Sequence, residues 1–150
     1  MMQSSDAKVR DEGRAKWTAQ ASEYGPYFQK IKEFLPKEFL EIFENNNWLH
    51  DFSFENISVN KSGKANEAVV EFMLKHDDIE FKIVLEGVRR FNIDVPTTSG
   101  WFFDSLSWGY SEFFKNSEGF WEINILCDIC CELSAEFSKI SASKEKQLEQ

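Results

Sequence analysis

Three small clusters hold the side chains whose types could do chemistry. The two histidines of the chain are each followed by carboxylates, as His50–Asp51 and His76–Asp77–Asp78. A histidine beside a carboxylate is the pairing of a general base with its orienting acid, and also the beginning of a metal site. Neighbouring residues rarely point the same way, however, and both pairs stand at element boundaries, where such residues cap and turn. The third cluster is Cys127, Cys130 and Cys131. A structural zinc site needs four ligands, and there is no second cysteine pair or spaced histidine pair to complete one. The redox form of C-x-x-C usually opens a helix, whereas this one lies in strand-like alternation. These cysteines are therefore expected as reduced thiols packed in the core. Nucleophile elbow, phosphate loop, dinucleotide fingerprint and HExxH are all missing from the sequence. No catalytic residue, metal or cofactor is assigned.

The acidic side chains say more. In the segments that alternate with period two, one parity carries large apolar groups. The other carries Glu67, Glu71, Glu80, Glu86, Glu122, Asn124, Glu132, Ser134 and Glu136. If the strands share one sheet, these emerge together on one face. The plain reading is a solvated outer face. The same parity also carries Val69, Met73, Val84, Phe120, Leu126 and Cys130, and apolar groups framed by carboxylates make an interface core with a charged rim. A second layer over that face would account for them equally well. As a docking face its members would be Glu71, Glu80, Glu122, Glu132 and Glu136, with Met73, Val84 and Trp101 as apolar anchors. Trp101 is preferred among the aromatics that follow Gly100 because Trp is enriched at binding hot spots.

The elements that must position these residues follow from periodicity. Phe28, Ile31, Phe34 and Leu35 recur at helical spacing, and Phe39, Leu40 and Phe43 do so again after Pro36. Pro36 would cost about 3 kcal/mol inside one continuous helix, so it should divide two. Asn45, Asn46 and Asn47 then stop the second. From Phe52 the period becomes two. Residues 52–59 read as a strand whose parity slips between Phe54 and Ile57, as a bulge produces. Residues 67–75 and 79–86 read as a hairpin turning at His76–Asp78. Residues 96–100 read as a loop and 105–114 as a strand. Residues 121–137 are too long for one ordinary strand and are divided near Asp128. The first 23 residues read as a frayed helical arm held by Trp17, and residues 141–150 as a loose polar tail. The expectation is one α+β domain, with N-terminal helices packed on one face of a mostly antiparallel sheet of about six strands.

The whole-chain properties set the class. A chain of 150 residues with 42% apolar content and 15 Phe has ample material for a core. Its formal charge of −9 lies almost entirely beyond residue 50. Such a field repels phosphate backbones and anionic membrane surfaces and attracts basic proteins. No stretch approaches the roughly 18 consecutive apolar residues of a membrane span. The polar, mixed-charge N-terminus is no signal peptide, and three cysteines make no disulfide framework. Together these predict a cytoplasmic protein that binds neither nucleic acid nor membrane.

The order of a Tyr/Phe helix ending in Leu35–Pro36, then WLHDFSFENISV, paired strands, a WGYSEF strand and an acidic hairpin resembles small bacterial α+β immunity proteins of polymorphic toxin systems. The resemblance runs from about Tyr24 to Ile140. It rests on order and texture, with only Leu49–His50–Asp51 and the WGY strand resembling a motif, and it carries no functional residue over. It implies a non-catalytic inhibitor that neutralises a toxin, and the acidic charge suits a basic partner such as a nuclease domain. The alternative from another class is a small enzyme or ligand-binding domain, with a pocket between helices and sheet lined by His50, Asp51 or the aromatic cluster. A third is a self-associating subunit.

Overall fold

Pro36 sets the first boundary of the fold. In the computed structural model, which describes residues 24–94, 106–127 and 131–145, residues 24–31 are helical (α1) and Lys32–Phe34 tighten into a 3-10 turn. A second helix, α2, spans Lys37–Asn45 with Pro36 at its N-cap position (φ −58°, ψ 137°). Proline's fixed φ and missing N–H suit it to a helix start, so the expected break falls where the sequence puts it. The chain divides into two compact units, Met1–Glu33 and Phe34–Gln150. In the first, Tyr24, Phe28 and Ile31 recur at helical spacing and are buried, with the Tyr24 and Phe28 rings 5.8 Å apart. The N-terminal arm with Trp17 lies outside the described residues, as do the 96–100 loop and residues 146–150.

The second unit is built on eight antiparallel strands: β1 (Ser53–Lys61), β2 (Ala68–His76), β3 (Ile79–Val88), β4 (Arg90–Asp94), β5 (Tyr110–Lys115), β6 (Trp121–Leu126), β7 (Glu132–Phe137) and β8 (Lys139–Lys144). They form two four-stranded sheets, ordered β1-β2-β3-β8 and β4-β7-β6-β5. The chain is thus α+β and antiparallel as expected, but its described residues form eight strands in two sheets where about six in one were expected.

Two kinks account for the difference. β3 and β4 are separated only by Arg89, and β7 and β8 only by Ser138. β3 pairs with β8 and β4 with β7, so both long strands cross from one sheet to the other side by side. At the crossing Gly87 takes φ +63°, in the left-handed region that L side chains disfavour. Its missing side chain admits Ser138, whose Oγ would lie 2.1 Å from a Cβ at that position. Ser138 donates to the Glu86 carbonyl through both its N–H (3.0 Å) and its Oγ (3.2 Å), and the Arg89 N–H donates to the Glu136 carbonyl at 2.9 Å. Glycine kinks and local breaks in the ladder are how sheets acquire strong curvature.

Residues leading into β5 close the remaining side. The Phe54 N–H donates to the Leu106 carbonyl (2.9 Å), the Trp108 N–H to the Phe52 carbonyl (2.8 Å), and the Asp51 N–H to the Trp108 carbonyl (2.9 Å). Inside lie the inward rows of both sheets, among them Phe72, Leu74, Ile83, Leu85, Ile123, Leu133 and Phe137. Phe39 and Phe43, one turn apart on α2, stack at 5.4 Å and meet the Phe113 ring edge-on at 5.6 and 5.5 Å. Phe43 also reaches Trp108 at 6.5 Å, and Trp108 stacks on Phe54 at 5.9 Å. Core aromatics in such offset and edge-to-face pairs contribute beyond their buried area, about 0.5–1.5 kcal/mol each.

Several expectations need correction. Phe34, placed on the apolar helical face, is exposed, with the Lys115 ammonium 4.1 Å from its ring centre. Residues 141–144, expected in a loose tail, complete β8, where Ile140 and Ala142 are buried against β3. The strand expected over 105–114 begins only at Tyr110. The bulge does lie where parity slipped, with a register shift between Phe54 and Asn56.

Candidate interaction face

Register assembles the outward residues of the second sheet into three rows. The first reads Asp94, Glu132, Leu126, Tyr110; the second Asn92, Ser134, Asn124, Glu112; the third Arg90, Glu136, Glu122, Phe114. Directly opposed residues on one face have Cβ atoms about 4.5–5.5 Å apart, so members of a row interact. Five carboxylates and one arginine therefore share these rows, but Glu112 is buried, so four of the carboxylates are accessible. Of the expected docking residues this face holds Glu122, Glu132 and Glu136.

The third row is neutralised at the kink. The Arg89 guanidinium donates from Nε to Glu136 Oε1 (3.1 Å) and from Nη1 to Glu118 Oε2 (3.0 Å), and lies 3.6 Å from the Phe120 ring centre. Its hydrogen bond to Glu118, with the charge of Glu136, holds the guanidinium pKa above its ordinary value despite partial desolvation. Asn116 Nδ2 donates to the other Glu136 oxygen at 3.0 Å. With both oxygens engaged and its side chain only 18% exposed, Glu136 is part of the kink's scaffold. Glu122, opposed to Glu136, has Arg90 at 3.8 Å.

The first row is different. Asp94 and Glu132 stand directly opposite one another, both exposed, and neither has an ion-pair partner among the described residues. Like charges so placed destabilise a strand pair. Beside them are half-buried Leu126 and Tyr110, whose residue surface is 64% exposed. The His50 ring sits 5.2 Å from the Tyr110 ring, and His50 Nδ1 is 3.2 Å from Asp51 Oδ1. A tight turn delivers this pair: Asn47, Trp48, Leu49 and Asp51 all take positive φ, from 53° to 75°. Each such non-glycine residue costs roughly 1–2 kcal/mol, and such strain often gathers at functional sites. Sequence reasoning missed Asp94 and Tyr110. Their signal was the alternation of Arg90, Asn92 and Asp94 around Phe91 and Ile93, too short to stand out beside the loop that follows.

The remaining expected residues are elsewhere. Glu71, Glu80, Met73 and Val84 belong to the outward face of the first sheet. There Glu71 is 3.3 Å from Lys82 and Glu86 is 3.8 Å from Lys139, while Met73 and Val84 are half-buried in neighbouring rows. Lys75, Lys82 and Lys139 largely balance the carboxylates of that face. The kinks thus part the expected residues between two sheets. Trp101 lies outside the described residues, as does Cys130. His76, 3.6 Å from Asp77, packs its ring 5.2 Å from Phe52 at a hairpin turn. Cys127 and Cys131 are buried thiols. No group of three or more His, Cys, Asp or Glu among the described residues is arranged to hold a metal ion.

A hollow of about 610 Å³ lies between residues 61–68 and the β3–β4 kink, lined by Lys61, Lys64, Arg89 and Arg90 among others. Neither His50 nor Asp51 borders it. No helix among the described residues is long and apolar enough to cross a membrane. No protein-family model matches the chain, and no curated protein matches it either.

Proposed function

We propose that this protein is a non-catalytic inhibitor of the immunity type, acting in the cytoplasm, which docks a basic protein partner, such as a nuclease toxin domain, on the outward face of its second sheet. The observation that carries this reading is the row Asp94–Glu132–Leu126–Tyr110. Two opposed carboxylates with no counter-charge among the described residues are a folding liability of a few tenths to about 1 kcal/mol. A lysine or arginine supplied by a partner relieves it on binding. Tyr110 offers the amphipathic, low-entropy side chain that serves as an interface anchor. Glu122 and Glu136 would frame this centre. Glu71, Glu80, Met73 and Val84 would form a second, weaker patch on the neighbouring sheet.

The test begins with capture of a basic protein by this chain and its identification by mass, followed by titration of the purified pair. Reversing the row with Asp94→Lys and Glu132→Lys should slow association at least tenfold at low salt and flatten its salt dependence, because exposed charges act mainly on encounter. A double variant that associates like the parent at low salt would dispose of this face. A second reading keeps one observation in its favour, the His50–Asp51 pair beside Tyr110. If that pair were a general base and its orienting acid, His50→Ala would abolish an activity while leaving partner binding intact.

A further inference from the structure

We infer that Cys127 and Cys131 are a redox pair that closes into a disulfide across the described end of the β6–β7 hairpin when the surrounding thiol pool is oxidised. Register places them: Leu126 opposes Glu132, and the next step outward opposes Cys127 to Cys131. The Cys127 N–H donates to the Cys131 carbonyl at 2.8 Å, one of the two bonds that a hydrogen-bonded pair exchanges. In such a pair the Cα atoms stand about 5.5 Å apart, inside the range a disulfide spans. Parity sends both side chains to the same, inward face, where the two residues are 3% and 1% exposed. The Cys127 side chain is placed to act as a hydrogen-bond partner of the Cys131 thiol. That bond pulls the Cys131 thiol below its usual pKa, against burial and the charges of Asp94 and Glu132, which push it up.

The co-reactant is a low-molecular-weight disulfide such as oxidised glutathione. The Cys131 thiolate attacks one of its sulfurs, forming a mixed disulfide and releasing one glutathione thiolate. The Cys127 thiolate then attacks the Cys131 sulfur of that mixed disulfide and releases the second. Two protein thiols lose two electrons and two protons, and one glutathione disulfide becomes two thiols. Cβ atoms of a hydrogen-bonded pair lie farther apart than a relaxed disulfide prefers, so the bond is formed under strain and remains easily reduced. Burial makes its formation follow local opening of the hairpin end. A structural disulfide would resist reduction by a glutathione pool; this one is a reversible lock. The inference stands independently of the docking reading.

The experiment equilibrates the whole chain, folded, in buffers of graded reduced-to-oxidised glutathione ratio. The bonds are then mapped by acid quench, alkylation, proteolysis and mass spectrometry. The expected result is a peptide pair joined through Cys127 and Cys131, lost on return to excess reduced glutathione. The same bond should form in Cys130→Ser and be absent in Cys127→Ser. If the folded chain keeps both thiols in a buffer that oxidises the urea-unfolded chain, the inference is overturned. A stable glutathione adduct on either cysteine, or a bond through Cys130 in its place, overturns it equally.

Discussion

Replacing Gly87 by Ala tests the kink at which β3–β4 and β7–β8 cross between the two sheets. The new methyl carbon would meet Ser138 Oγ at 2.1 Å and Ser138 Cβ at 3.0 Å, on a backbone with φ +63°. Three costs follow. An L side chain in the left-handed region costs about 1–2 kcal/mol. Ser138 must rotate its hydroxyl away, giving up its 3.2 Å bond to the Glu86 carbonyl, worth roughly 0.5–1 kcal/mol at an exposed site. The Cβ–Cβ approach then forces a backbone shift of a few tenths of an ångström where the Ser138 N–H holds the same carbonyl. We expect Gly87→Ala to lower stability by about 2–4 kcal/mol in urea unfolding monitored by tryptophan fluorescence. The diagnostic is a double-mutant cycle with Ser138→Gly. Removing the Ser138 side chain leaves only the left-handed penalty, so the two substitutions should couple by at least about 1 kcal/mol. A Gly87→Ala cost below roughly 0.5 kcal/mol, or strict additivity in the cycle, would refute the account of this crossing.

Other substitutions probe the core and the face. Phe43→Ala removes a fully buried ring packed against Phe39, Trp48, Trp108 and Phe113, and should cost about 3–5 kcal/mol in the same unfolding assay. Ser111→Ala should raise stability by about 1 kcal/mol, because the buried Ser111 Oγ has no hydrogen-bond partner among the described residues and its desolvation is uncompensated. Trp108 Nε1 likewise has no partner among the described residues, but truncating that indole would open a cavity and destabilise instead. Glu132→Gln should stabilise the free protein slightly, by a few tenths of a kcal/mol that vanish at high salt, and should weaken partner binding. Tyr110→Ala should leave the unfolding midpoint nearly unchanged and speed dissociation of the complex about tenfold or more, as measured by surface-based kinetics.

Sequence pattern exposed the elements whose cause is local. Pro36 and the Asn45–Asn47 run bracket α2 because proline geometry and asparagine's tolerance of positive φ act on single residues; Asn47 indeed takes φ +53°. The β2–β3 hairpin turns at Asp77, with φ +54°, between two regular alternations. What escaped was non-local. β4 has only Phe91 and Ile93 inward, and β8 only Ile140 and Ala142, so each is too short and too polar to announce a strand alone. Both exist because a kinked partner supplies their ladder. The acidic parity was legible along each strand, but Gly87 and Ser138 decide which sheet each carboxylate joins. Glu71 and Glu86 therefore sit beside lysines of the first sheet, while Glu132 stands opposite Asp94 in the second. Tyr110 was visible as an aromatic, yet nothing local distinguishes it from Phe113, which faces inward from the same strand.

The carboxylates of the second sheet separate by what they already hold. Glu136 is consumed by the kink: Arg89 and Asn116 occupy both of its oxygens, and Glu118 takes the rest of the guanidinium. Removing it would disturb the crossing before it disturbed any partner, so its loss is a poor test of binding. Glu122 is intermediate, half-buried with Arg90 at 3.8 Å. Asp94 and Glu132 have no ion-pair partner among the described residues, and their opposition works against the fold. A sheet selected for stability alone would place a lysine at one of these positions, as the first sheet does with Lys75 opposite Glu80. Keeping two like charges together, next to an exposed tyrosine, makes sense where the missing cation arrives on another molecule. The two explanations differ in sign for Glu132→Lys. As mere surface charge, the new lysine would pair with Asp94, stabilise the protein and change nothing else. As a docking pair, the same variant would be more stable and yet fail to hold its basic partner, so stability and binding measured together on one protein decide between them.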